Sequence, residues 1–142
     1  MKDIKIVEKG SGGDFYIIDN DLVLIDSFKN QVYLSFFGGN INDDKEGTYW
    51  ANDLIGIESQ YISKFETALL NEALTSNGIH KLKKAAESDL EYMKEYGDLI
   101  IKISMITSTS ITIFVELKSN NTGNQNTSLT YDYTKKIITW QD

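Results

Sequence analysis

General-base and nucleophilic-triad chemistry near neutral pH leans on imidazole, and the chain has one histidine, His80, set between Ile79 and Lys81. No Gly-x-Ser-x-Gly turn is present to expose a serine to it, and a lone His cannot seed a metal site that needs several converging ligands. Cysteine is absent, which removes thiolate nucleophiles, disulfides and cysteine-held zinc or iron–sulfur centres. All 14 basic residues are lysine, so the arginine fork that grips phosphate and carboxylate in a bidentate fashion is missing as well. The acidic stretch at residues 40–47 alternates oxygen ligands, but a calcium loop wants glycine sixth and glutamate twelfth, and counting from Asn40 those places hold Lys45 and Ala51. Gly10-Ser11-Gly12-Gly13 lacks the Lys-Ser/Thr of a phosphate-cradling loop and precedes a strand pattern, not a helix, so it reads as a turn. Paired carboxylates could be drawn from 21 Asp and Glu residues in too many ways to point anywhere. The inventory predicts no catalytic residue, no metal, no cofactor and no small-molecule substrate.

Aromatic side chains are the other residues to weigh, at 11% of the chain. Phe37 precedes a double glycine, Tyr49 and Trp50 stand in a polar stretch, Tyr131 and Tyr133 alternate with Thr and Asp, and Trp140 is two residues from the end. Such rings either plug the core beneath their loops or serve as contact points for another protein, where Trp and Tyr dominate binding energy. We take Phe37, Tyr49, Trp50, Tyr131, Tyr133 and Trp140 as candidate partner-binding residues.

The elements that would position them follow from periodicity and turn chemistry. Ile4 and Ile6, then residues 15–18 and 22–25, are extended runs, and Asp19-Asn20-Asp21 between the last two predicts a hairpin. Asp26-Ser27 caps a helix whose Phe28, Val32 and Phe36 share a face, widened by Leu34 and Phe37 and ended at Gly38-Gly39. A second helix runs from about Ile57 or Tyr61 to Leu74, with Ile62, Phe65, Leu69 and Ala73 at three- and four-residue spacing. The third carries the stripe Ile79, Leu82, Ala86, Leu90 and Met93 and stops at Gly97, with Ser76 or Asn77 as its cap. From Asp98 the period changes to two: Leu99, Ile101, Ile103 and Met105 form one row, and Ile111, Ile113, Val115 and Leu117 a second. Residues 119–127 read as a long polar loop, and the segment from Thr127 to Trp140 either offers a terminal edge to a neighbour's strand or simply closes the sheet. The fold class is α+β: an N-terminal β-hairpin, three helices and a C-terminal antiparallel β-meander. At 142 residues, residues 1–142 are expected to form one domain.

Charge limits the partners. A net −7 repels phosphate, which argues against nucleic acid, and no apolar run is long enough to span a membrane. Lys81, Lys83 and Lys84 share their helix with Glu87, Asp89, Glu91 and Glu95 and read as a solvated face.

The ordered set Ser11-Gly12-Gly13-Asp14-Phe15 with Asp21-Leu22, the helix segment at residues 30–37, Tyr49-Trp50-Ala51-Asn52, Gly56, Ser59 and the Leu74-Thr75 joint resembles the small baseplate protein family of Mu-like contractile-tailed phages, which is related to baseplate wedge and sheath-initiator proteins. The likeness covers most of residues 3–105. Family members often carry a basic pair where this chain has Gly38-Gly39-Asn40, and Trp-Trp where it has Tyr49-Trp50. The resemblance implies a structural, non-enzymatic baseplate wedge subunit of a phage or prophage-derived contractile tail. It would bind other wedge proteins and the tail sheath, help initiate sheath assembly, and reside in the virion after assembly in the host cytoplasm. The other readings are a small cytoplasmic protein-binding adaptor or immunity-type protein, and a carboxylate-dependent cell-wall hydrolase.

Overall fold

The structure is a computed structural model that describes residues 2–8, 13–39, 54, 56, 62–121 and 123–141. Six short strands open the chain: β1 Lys2–Ile4, β2 Ile6–Glu8, β3 Gly13–Phe15, β4 Ile17–Ile18, β5 Asp21–Leu22 and β6 Leu24–Asp26. The expected hairpin is present: β4 pairs with β5, and Asp19 and Asn20 between them take the left-handed φ values, 51° and 63°, of a two-residue hairpin turn. It belongs to a larger unit, because β1 pairs with β6 and β2 with β3. Each of the three chain segments therefore leaves one partner for the other at its middle residue. Backbone bonds close the junction in a ring: Lys5 N–H donates to the Val23 carbonyl (2.7 Å), Val23 N–H to Tyr16 (3.0 Å) and Tyr16 N–H to Lys5 (2.9 Å). The result is three two-stranded arms meeting at one point, with the junction's own backbone groups satisfied.

Helix α1 (Ser27–Phe37) starts as expected, with Asp26 as N-cap and its carboxylate accepting from Phe28 N–H at 2.9 Å. Phe28, Val32 and Phe36 are buried along one face, and the chain leaves through Gly39 at φ 111°. Helix α2 is shorter than expected, Lys64–Asn71, and its first turn is a capping pattern in which the Ser63 hydroxyl accepts from Glu66 N–H at 2.8 Å. Helix α3 runs Ser76–Asp89 with Thr75, one residue earlier than expected, as its cap; the stripe continues through Leu90 into the 3-10 turn Glu91–Glu95, so Met93 is buried beyond the α-helix.

The C-terminal third forms a meander in the order β10-β9-β8-β7: β7 Asp98–Thr107, β8 Ser110–Ser119, β9 Gly123–Asp132 and β10 Ile137–Gln141. The alternating rows fall where the pleat requires, with Ile111, Ile113, Val115 and Leu117 of β8 buried under the helices beside Leu129 and Ile101. Helices cover one face of this sheet, so the core lies between two layers, as an α+β domain arranges it. One expectation needs correction. The supposed loop at residues 119–127 is largely strand: the β8–β9 ladder runs to Ser119↔Gly123, since backbone pairing continues past the last apolar side chain. Of the two strands in the segment beyond it, β9 is paired on both sides and the terminal strand β10 lies at the border of the sheet.

Candidate protein-binding surface

In the N-terminal unit, side chains alternate across the pleat on either side of the junction residues Lys5, Tyr16 and Val23. The flanking positions are Ile4 and Ile6, Phe15 and Ile17, Leu22 and Leu24, and the register joins them as the cross-strand pairs Ile4↔Leu24, Ile6↔Phe15 and Ile17↔Leu22. Residues directly opposite in a ladder point to the same side of it, so six apolar side chains, two from each segment, share one face around the junction. Four are substantially exposed: Phe15 49%, Ile17 58%, Leu22 42% and Leu24 55%. Scattered exposed apolar residues are ordinary, but a contiguous group of this kind marks an interaction surface. Lys5, whose Nζ stands 4.8 Å from the Tyr16 ring centroid, belongs with the junction residues on the opposite face.

The unit is held to the rest of the chain by Asn30, buried in α1. Its amide nitrogen donates to the Ile4 carbonyl at 2.6 Å and to an Asp3 carboxylate oxygen at 3.0 Å, and its oxygen accepts from Ile6 N–H at 3.4 Å. One amide thus matches the donor–acceptor pattern of the first segment beside the junction. Gln125 of β9 adds a bond to Asp26 Oδ1 at 3.2 Å.

The candidate aromatics lie elsewhere. Phe37 is half-buried against Tyr33 and Phe65, with ring centroids at 5.6 and 6.1 Å. Trp140 sits on the helix-facing side of β10, opposite Leu129, 6.2 Å from the Tyr33 ring. Tyr131 is buried and meets Tyr133 edge-on at 4.9 Å. These four line the seam between helices and sheet, where their rings touch one another and the core. Tyr49 and Trp50 lie outside the described residues, as does the acidic stretch at 40–47.

Among the described residues the titratable groups form no recognisable catalytic set. His80 is exposed on α3, and among the described residues no group of three or more His, Cys, Asp or Glu is placed to hold a metal ion. Asp89 closes the start of α2 from the end of α3, accepting from Lys64 N–H at 3.1 Å and Phe65 N–H at 2.7 Å. Burial raises its pKa, and the two backbone bonds oppose that shift without cancelling it. The Ser63 hydroxyl donates to the Phe36 carbonyl at 2.6 Å and reaches Asp89 Oδ2 at 3.2 Å, a contact that also opposes the shift. The Tyr133 hydroxyl is buried without a hydrogen-bond partner, and burial first, then the neighbouring Tyr131, pushes its pKa up to about 12.

Sequence reasoning passed over the apolar face because residues 15–18 and 22–25 read as continuous apolar runs, the pattern of strands buried on both sides. The alternation that exposes it emerges only when the three segments are registered around Lys5, Tyr16 and Val23. Compared with protein-family models, curated proteins and solved structures, the chain matches none of them.

Proposed function

We propose that this chain is a non-catalytic, protein-binding structural subunit of a contractile-tail baseplate, where it packs against larger wedge proteins and helps start sheath assembly. The observation that carries the protein-binding part is the apolar face of the N-terminal unit, four of whose side chains are 42–58% exposed. The baseplate assignment is supported by the resemblance in residues 3–105. A virion structural protein needs surfaces that bury on assembly, and an apolar face on a small, hydrogen-bonded β unit supplies one without a cofactor or a substrate.

The test is co-purification from cells producing the tail. A tagged chain is expected to bring down wedge and sheath proteins, whereas Ile17→Thr combined with Leu22→Thr, which trims apolar area but keeps strand propensity, is expected to be recovered as a folded monomer. Wild-type protein recovered alone from cells that assemble tails would refute the reading. So would turnover of peptidoglycan or chromogenic glycosides that disappears when one Asp or Glu is changed to its amide.

A further inference from the structure

The C-terminal sheet has two borders, and their edges differ. At one, β7 is guarded: Lys102 stands exposed in mid-strand with its Nζ 5.9 Å from the Phe114 ring centroid, and the register with β8 slips between Met105 and Thr107. A charge and a bulge are two devices that keep an edge from pairing with a foreign strand. At the other border, β10 has neither. Ile137–Gln141 carries no charge and pairs with β9 in unbroken register. Among the described residues, its far side meets no backbone partner. The outward N–H and C=O groups of such a strand offer a ladder to a neighbouring strand.

We infer that β10 pairs antiparallel with β10 of a second copy, about a two-fold axis at Thr139, joining the two sheets into one. This contact is separate from the apolar face of the N-terminal unit. The residues of the strand select the occupant. A two-fold antiparallel pair keeps the helix layers on one side, so helix-side residues must stand opposite helix-side residues. Of the registers this allows, the one centred on Thr139 engages all 5 residues of both strands. It sets Ile138 opposite the copy's Trp140, and the reverse, on the helix side, and Thr139 opposite Thr139 on the other. Aromatic–β-branched and Thr–Thr pairs are favourable cross-strand neighbours. Ile137, now 50% exposed, gains Gln141 of the copy across the ladder.

Charge agrees with this register. Carried one residue further, it sets Lys136 opposite position 142, an aspartate in the sequence. Lys135 and Lys136 form no ion pair among the described residues, so the copy supplies the opposite charge at each end of the ladder. The net −7 of each chain opposes association, but screening over about 8 Å at physiological salt leaves the charges beside the ladder to decide. A β7 pair centred on Lys102 would instead set lysine against lysine. A contact of this length belongs with weak interfaces, so the dimer forms in proportion to concentration.

The chain has no cysteine, so one can be placed at the axis. Residues opposite each other in an antiparallel ladder have Cα atoms about 4.5–5.5 Å apart, within disulfide reach. Thr139→Cys, exposed on the face away from the helices, is expected to oxidise to a covalent dimer, whereas Ser104→Cys, also exposed but on β7, is expected to stay monomeric. In sedimentation velocity the wild-type chain should move from monomer towards dimer as concentration rises. Thr139→Lys sets like charges against each other at the axis and should abolish that shift, with unchanged β8 amide shifts showing that the fold is kept. Asp142→Lys should weaken association by about tenfold at low salt, and by less as salt is added.

A wild-type chain that stays monomeric at every concentration overturns the inference, as does Thr139→Cys cross-linking no faster than Ser104→Cys. A dimer that survives Thr139→Lys but is lost in Ile17→Thr with Leu22→Thr overturns it in favour of the N-terminal face. A monomeric wild type whose tail partners are lost with Thr139→Lys means that the edge takes a strand of another protein and that the second copy is wrong.

Discussion

Tyr133 shows how a side chain that looks available in sequence can be committed in the fold. Tyr133 is one of the candidate contact rings, yet its hydroxyl oxygen is buried and lacks a hydrogen-bond partner. A buried hydroxyl without a partner costs stability, so Tyr133→Phe is expected to leave the fold intact and raise stability by about 1 kcal/mol, read from the urea midpoint at neutral pH. The pH dependence follows from the same burial. The folded pKa of about 12 lies above the unfolded value, so stability is fully present below about pH 10 and is lost as pH rises through the folded value. The wild-type melting temperature should therefore fall more steeply than that of Tyr133→Phe above about pH 10. Parallel curves would show that the hydroxyl is solvated. Asp89 is the acidic counterpart: its raised pKa means that its ionisation opposes folding, and what it returns is the backbone cap on α2.

At the scale of elements, most local rules hold and the exceptions have causes. Asp26, Ser63 and Thr75 each accept a backbone N–H from the first turn of the helix that follows, as short polar side chains at helix starts do. Gly97 stops the third helical run for a reason sequence periodicity does not contain: a Cβ there would overlap the Lys118 carbonyl, so the chain can enter β7 alongside the end of β8 only with glycine. The N-terminal unit depends on α1 through Asn30, whose amide makes three bonds to the segment containing Asp3, Ile4 and Ile6. Asn30→Ala should cost about 1–3 kcal/mol, because it strands the Ile4 carbonyl and the Ile6 N–H in a partly buried place. The loss is expected to be local: hydrogen exchange should quicken in residues 2–6 and 23–26 while β8 amides keep their protection. Equal loss in β8 would mean that the unit and the sheet unfold together. The same variant would loosen the apolar face without touching any of its six side chains.

At the scale of the whole molecule, the aromatic residues form a seam. Tyr33, Phe36, Phe37 and Phe65 from the helices meet one another and Trp140 from the last strand, with centroids 4.5–6.3 Å apart. The border strand β10 is thereby pinned to α1. Trp140→Ala is expected to lower stability by about 2 kcal/mol, less than the roughly 3–5 kcal/mol of a fully buried ring, because Trp140 is half-buried on a border strand. A denaturation midpoint measured beside the tail co-purification separates its two possible roles. Partner loss with an unchanged midpoint would return Trp140 to the binding surface.

What the amino-acid sequence determined by itself is the order of elements: extended runs and a hairpin, three helices, then a meander. These features are local. Period 3.6 against period 2, an Asp or Ser before a helix, Gly38-Gly39 after one and Asp19-Asn20 between two strands all act within a few residues of themselves. The tertiary structure decided which apolar residues face outward. Ile17 and Leu22 are as apolar as Ile113 and Leu129, and each pair faces across a ladder; what separates the buried pair from the exposed one is the helix layer laid over it. The three-way exchange at Lys5, Tyr16 and Val23 sets the first ladder, and the helices laid over β8 and β9 bury the second. Burial is a property of what lies on the far side of a residue, and a chain read in order does not contain that.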